Sequence, residues 1–268
     1  MPVTRRRLDA ELVRRRLARS REQARRLIEE GRVRVGGRTA AKAATQVEPT
    51  AAIVVEDADA GPEYVSRGGH KLAGALEAFD ALTVRGRRCL DAGASTGGFT
   101  DVLLRAGAAH VIAVDVGYGQ LAWSLRTDER VTVLERTNVR DLTPARLPGE
   151  PPDLVVGDLS FISLRLVLAP LRACAAPDAD FVLMVKPQFE VGRERVGSGG
   201  VVRDPALRAE AVRGVAEHAA TLGLGVAGVT ASPLPGPSGN VEYFLWMRAG
   251  APPLDEADLE RAIAEGPS

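Results

Sequence analysis

Four side chains far apart in the chain have the types and settings that proton transfer requires: Lys71, Asp158, Lys186 and Glu242. Composition marks the lysines. Of 35 basic residues only three are lysine, at 42, 71 and 186, and the other 32 are arginine. Arginine keeps its proton under ordinary conditions, whereas a lysine that is desolvated or beside another cation can release one. Lys71 and Lys186 are therefore where lysine chemistry, as distinct from charge, is expected; Lys42 shows that not every retained lysine has that reason. Lys71 falls in the first turn of a helix expected from Ser66, where a cation opposes the helix dipole, so helix stability does not explain it. Asp158 and Lys186 each end an apolar run, Asp153-Leu-Val-Val-Gly-Asp158 and Asp180-Phe-Val-Leu-Met-Val-Lys186. Glu242 interrupts the apolar series Val241, Tyr243, Phe244, Leu245 and is costly to bury without a partner. Strand alternation leaves solvent exposure as the other account of Glu242.

The element that must position these groups centres on Leu90–Gly98, LDAGASTGG. A short β-like run precedes it, and Phe99, Val102, Leu103 and Ala106 follow on one helical face. Strand, glycine turn, helix sets backbone N–H groups against a ligand, and Gly93, Gly97 and Gly98 allow it close. The order Asp91-x-Gly93-x-x-x-Gly97-Gly98 is not the G-x-G-x-x-G of dinucleotide sites, which argues against a nicotinamide oxidoreductase. A tight βα turn in an unrelated α/β domain is the bland alternative. His110–Asp115 reads as a buried strand whose carboxylate, 22 residues beyond Gly93, stands where a nucleoside's ribose hydroxyls would lie. Arg130–Asn138 reads as the next strand, with Asn138 or Asp141 at an adenine edge. Ligands of open parallel sheets lie at the carboxyl ends of the strands, so Asp91, Asp115, Asp158 and Lys186 should converge. The glycine-rich passage 189–203 is expected to lack regular structure and to be long enough for a flap. Asp204 and Pro205 then start a helix, and a proline-rich turn feeds a last strand.

Net charge is zero, but unevenly spread. Residues 1–60 hold fourteen Arg or Lys against nine Asp or Glu, and residues 61–268 hold 21 against 26, so the front carries +5 and the rest −5. Two short amphipathic helices are expected in the front part, the first lined by Leu8, Leu12, Val13 and Leu17, the second capped by Ser20, facing inward with Ala24, Leu27 and Ile28 and ended by Gly31. Arg32-Val-Arg-Val-Gly-Gly-Arg suits a hairpin. Arginines at 5, 6, 7, 14, 15, 16, 19, 21, 25 and 26 could contact phosphates or simply form a solvated face balanced by Asp9, Glu11, Glu22, Glu29 and Glu30. No apolar run reaches the roughly 18 residues of a membrane helix, and the charged start lacks the apolar core of a signal peptide. A cytoplasmic protein is expected, with Cys89 and Cys174 as reduced core residues and no metal-type spacing.

Asp91 followed by G-x-x-x-G resembles the first motif of S-adenosylmethionine-dependent methyltransferases. The run from Arg7, R-L-D, through L-A-x-S-R and I-x-x-G-x-V-x-V resembles the S4 RNA-binding module over residues 5–55. That resemblance implies RNA contacts at Arg7, Arg19, Arg21 and Lys42. Lys71, Asp158, Lys186 and Glu242 match the K-D-K-E tetrad of FtsJ-like ribose 2′-O-methyltransferases. With LDAGASTGGFTD, DVGYGQLAWSLR, ERTNVRDL, DLSFISL, VKPQFEVG and PLPGPSGNVEYFLW, the chain resembles the TlyA family nearly end to end. The resemblance implies an α/β protein: a small α+β S4 domain (1–60), a linker (61–66), and a Rossmann-like class I methyltransferase domain (67–268) with a mostly parallel seven-stranded sheet. It implies methyl transfer from S-adenosylmethionine to cytidine 2′-hydroxyls of 16S rRNA, 23S rRNA or both, the loss of which can confer resistance to capreomycin-type antibiotics. The basic start and the acidic helix Leu254–Ile263 resemble members acting on both subunits.

Catalytic roles are implied for Lys71, Asp158, Lys186 and Glu242, and cofactor contacts for Asp91, Gly93, Ser95, Gly97, Gly98, Asp115, Asn138 and Asp158. Neutral Lys186 would accept the ribose proton, favoured by the like charge of Lys71 and opposed by the two carboxylates. Ribosomal RNA or subunits are the expected partners of a monomer without metal or membrane. The inter-domain R-x-W-V of the family is replaced by Pro62-Glu-Tyr-Val65, so coupling of RNA binding to the cofactor site through that segment is not implied. A non-catalytic RNA-binding or ribosome-assembly factor is the alternative; membrane lysis, which the family's haemolysin label suggests, has no supporting segment.

Overall fold

The computed structural model describes residues 5–15, 17–29, 31–40, 42–48, 50–55, 64–236 and 238–267. Arg16, Glu30, the extension before Arg5 and residues 56–63, which include the first half of the expected linker 61–66, lie outside the described residues. Contacts divide the chain into two units, Met1–Glu63 and Tyr64–Ser268.

In the first unit β1 (Arg6–Arg7) leads into α1 (Leu8–Arg14), and α2 (Arg21–Glu29) follows. Ser20 caps α2 by accepting the Gln23 N–H at 3.1 Å, and Gly31 ends it at φ +71°. β2 (Val33–Val35) and β3 (Arg38–Thr39) form the expected hairpin, turning on Gly36 and Gly37 at φ +56° and +80°. β4 (Gln46–Val47) pairs with β1, and β5 (Ile53–Val55) with β2. Leu8, Leu12, Ala24, Leu27, Ile28 and Val33 form the core. Leu17 is a correction: α1 stops at Arg14, so Leu17 leaves its inward face and is 36% exposed.

The second unit runs α3 (Gly68–Ala78), β6 (Arg88–Ala92), α4 (Gly98–Arg105), β7 (His110–Val114), α5 (Trp123–Arg126), β8 (Val131–Leu134), β9 (Leu154–Gly157), α6 (Leu168–Cys174), β10 (Asp180–Val185), α7 (Pro187–Glu190), α8 (Pro205–Thr221), β11 (Leu224–Ala231), β12 (Tyr243–Ala249) and α9 (Glu256–Ala264). Among the described residues seven strands form one sheet in the order β11-β12-β10-β9-β6-β7-β8, parallel except for β12. Alternate strand residues serve opposite faces. Leu90, Ile112, Val155, Phe181 and Leu245 meet side chains of α6, α8 and α9, while Cys89, Val111, Leu154, Val182 and Phe244 meet those of α3 and α4. Cys89 is inert packing, burial pushing its thiol up to about 12.

Three expectations change. The strand expected over Arg130–Asn138 ends at Leu134, and Asn138 instead caps a 3-10 turn by accepting the Arg140 N–H. The passage 189–203 is less irregular than expected: α7, Pro187–Glu190, runs into it and a 3-10 turn follows at Arg193–Arg195, while the turn at Ser198–Gly200 is broken by Gly199 at φ +77° and the remainder has no helix or strand. Proline at the first helical position and the buried Glu190 supply the order that glycine content alone concealed. Tyr64 and Val65, from the expected linker, pack within the second unit; the Val65 N–H donates to Asp101 at 2.9 Å.

Candidate active site

The strand order reverses between β6 and β9, and a crevice opens at their carboxyl ends. Gly93, the first residue past β6, turns there at φ +84°, where a Cβ would stand 2.9 Å from the carbonyl oxygen of Asp158. Only glycine fits both the conformation and the space. Gly98 meets a second constraint, because its face packs on Ser66 and the backbone of Gly68 and Gly69 at the start of α3. That packing brings Lys71, one turn into α3, over the crevice.

Two ion pairs occupy the crevice floor. Lys71 Nζ donates to Glu242 Oε2 at 2.6 Å, with the lysine side chain 8% and the glutamate 1% exposed. This resolves Glu242 as paired rather than solvated; it sits one residue before β12, whose first residue Tyr243 is fully buried. Lys186 Nζ lies 2.6 Å from Asp158 Oδ1 and donates to Ser160 Oγ at 2.8 Å. The Lys186–Asp158 contact is an ion pair by distance, its angle falling outside hydrogen-bond geometry. Lys71, Asp158 and Lys186 line one cavity of about 300 Å³ together with Gly93, Ser95 and Gly98. Lys186 and Glu242 also line an adjoining cleft of about 1220 Å³.

A third cavity, of about 480 Å³, extends from Gly93 and Ser95 past Asp115 and Asn138 to Asp158 and Phe161. Asp115 accepts the Ser95 and Gly117 N–H groups at 2.8 and 2.6 Å, one on each oxygen, which leaves lone pairs on both for a ligand's hydroxyls. Asp91 and Gly97 line none of these spaces. Asp91 is wholly buried beneath the turn: Thr100 donates to Oδ2 at 2.7 Å, while Oδ1 has no partner. Burial, reinforced by the charges of Asp158 and Asp115, pushes its carboxyl up to about 7. Gly97 packs against Leu121 and Leu125 instead, at φ +101°. Asp141, the alternative to Asn138, is exposed and also lies off the cavities. A turn that admits no Cβ, lone pairs left on Asp115 and the buried charge of Asp91 beneath the turn suit a ligand carrying a ribose and a cationic group.

Of the residues tied to RNA by resemblance, Arg7 and Arg21 both reach the carboxylate of Asp9. Arg19 and Lys42 are exposed. Sequence reasoning missed Ser160, Gln188 and Glu190. Gln188 Nε2 donates to Glu242 at 3.4 Å, and its Oε1 is buried without a partner. Glu190 accepts Ser163 Oγ–H at 2.6 Å and the Leu164 N–H at 2.7 Å, with Arg165 Nε 3.3 Å away. It thereby ties the segment after Lys186 to the segment after Asp158. A carboxylate in the apolar run Pro187–Val191, four residues past a lysine, was the available signal.

Residues 64–249 match the FtsJ-like methyltransferase family and residues 6–53 the S4 domain. The chain is 63% identical over 267 residues to the "16S/23S rRNA (cytidine-2'-O)-methyltransferase TlyA" of Mycobacterium tuberculosis, covering 97% of this chain and 98% of that one. It is 41% identical to "Hemolysin A" of Brachyspira hyodysenteriae over 68% of this chain and 75% of that protein. A solved Streptococcus thermophilus structure with a provisional hemolysin label superposes at a TM-score of 0.77 and 35% identity, covering 98% of this chain and 96% of that one. Fold and matches together define an S4 domain joined to an FtsJ-like methyltransferase. The chain belongs to the TlyA family. Among the described residues no helix is long and apolar enough to cross a membrane, and no group of His, Cys, Asp and Glu could hold a metal ion.

Proposed function

We propose that the chain transfers a methyl group from S-adenosylmethionine to cytidine ribose 2′-hydroxyls of 16S rRNA, 23S rRNA or both, with the first unit docking the RNA. The observation that carries this reading is the pair of lysine–carboxylate contacts, the buried Lys71–Glu242 and the partly buried Lys186–Asp158, at a crevice joining a nucleoside-sized cavity to a larger cleft. Asp115 would take the cofactor's ribose hydroxyls, Asn138 its base, and the backbone at Gly93 its methionine portion, with Asp91 supplying negative charge beneath the turn. When bound, S-adenosylmethionine supplies a methyl group already activated on sulfonium.

The chain then has two tasks, to hold the 2′-oxygen in line and to remove its proton. Lys186 Nζ is the proton acceptor in this reading, fixed by Asp158 and Ser160. Lys71, anchored on Glu242, orients the hydroxyl from the α3 side. The target nucleotide occupies the 1220 Å³ cleft, where Phe161, 91% exposed, stands with its ring centroid 5.3 Å from that of Phe189. These rings offer faces for an unstacked base, and Arg140 and Arg193 line the same cleft for phosphates.

Incubating the protein with donor carrying a labelled methyl group and each ribosomal subunit separately, then digesting the RNA to nucleosides, tests the reading. Label on the 2′-oxygen of cytidine is the expected result. RNA binding without label would instead favour a non-catalytic assembly factor.

A further inference from the structure

We infer that Asp9 is the organiser of a three-arginine phosphodiester site on the first unit, made by Arg7, Arg21 and Arg25; the inference rests on that unit docking RNA.

Asp9 is wholly buried, yet every cation around it is half exposed. Arg7 meets it in a fork, Nε on Oδ1 at 3.1 Å and Nη2 on Oδ2 at 3.2 Å. Arg21 Nη2 donates to Oδ2 at 3.0 Å, and Arg25 Nε stands 3.6 Å from the same oxygen. The arginine side chains are 43%, 53% and 55% exposed. The Ala10 N–H completes the set at 2.9 Å. One carboxylate under three guanidiniums leaves +2, drawn from the end of β1 and successive turns of α2 onto one point. Arg7, first in effect by its hydrogen bonds, holds the Asp9 carboxyl well below the usual range, so the organiser stays ionised.

The neighbouring Glu11 shows a different use of the same chemistry. It too is buried and binds Arg14 and Arg15, but Arg15 turns inward, 21% exposed, and donates to the Ala51 carbonyl at 2.7 Å. That cluster staples α1 to the chain before β5. The Asp9 cluster keeps donors in hand: Arg7 retains Nη1, and Arg25 is held by charge alone. A free arginine must freeze a long side chain to grip a phosphate, and a carboxylate that has already fixed three of them removes that cost.

The two roles open to Asp9 have opposite signs. As a bare charge it repels RNA, so Asp9→Asn would tighten binding and steepen its salt dependence. As an organiser it is required: an asparagine presents an N–H to at least one guanidinium and splays the set, so binding weakens. The test is fluorescence anisotropy of a labelled RNA stem-loop with the full chain, over a salt series, with thermal melting alongside. D9N is expected to lose about fivefold or more in affinity. Arg25→Gln, at an exposed side chain, is expected to lower the slope of log K against log salt by about 0.7–0.9. Arg7→Lys, which keeps the charge and removes the fork, is expected to lose about fivefold, and it decides the matter if D9N does not fold. Equal or tighter binding by folded D9N, or unchanged binding by R7K or R25Q, overturns the inference. If the double variant R7A/R21A also binds as the wild type does, the reading of this unit as RNA-binding fails instead.

Discussion

Each lysine of the crevice has its own carboxylate, so the site carries two matched pairs rather than a lone base. Asp91 is the exception among these acids, raised to about 7 by burial and lacking a donor on Oδ1. A cationic donor held in the crevice above the turn is favoured by the ionised form beneath it, so donor affinity is expected to rise with pH between about 6 and 8 and then level off. Isothermal titration across that range checks it, and Asp91→Asn should flatten the curve. Stability runs the other way. Because the folded carboxyl binds its proton more tightly than the unfolded one, this group's contribution is full below about 4 and is lost as pH rises through about 7. Without donor, D91N should therefore melt higher than the wild type at pH 8, by an amount worth at most about 4 kcal/mol. Equal melting would mean that Asp91 is not held in this environment.

The turns between elements do the positioning. Gly93→Ala would force a Cβ against the Asp158 carbonyl at a φ of +84° and should cost about 1–3 kcal/mol and at least tenfold in donor affinity, readable by melting and titration. Glu190→Gln keeps one oxygen for the Leu164 N–H but puts an NH2 where the Ser163 hydroxyl donates and removes the charge beside Arg165, loosening the segment that carries Asp158 and Ser160. It is expected to lower kcat about tenfold with donor affinity little changed; an unaltered kcat would limit Glu190 to packing. Much of this scale was legible in the sequence. Strands ending in Asp158 and Lys186, the glycine turn, the Gly36–Gly37 hairpin and the misplaced cation Lys71 are local patterns, and the structure brings Lys71, Asp158 and Lys186 to one cavity. What sequence could not supply was pairing across the sheet. Glu242 kept exposure as a competing account until α3 delivered Lys71, Leu17 read as buried until α1 ended early, and Glu190 acts through a segment 26 residues away.

Across the whole molecule the proposed function divides between the two units, whose charges differ in the sense it needs, +5 against −5 across the 60/61 boundary. Neutralising Arg7 and Arg21 is expected to raise KM for RNA at least tenfold while kcat at saturating RNA stays within about twofold; steady-state kinetics with a ribosomal subunit would show a fall in kcat instead if these residues act on chemistry. The central claim is that Lys71, Asp158, Lys186 and Glu242 work as one site on the methyl group of a bound donor. Single-turnover methyl transfer by Lys186→Ala, with donor and RNA binding measured on the same preparation, tests it most directly. The account expects both affinities within about threefold of the wild type and a rate reduced by about 10²–10⁴. A transfer rate equal to that of the wild type would contradict it.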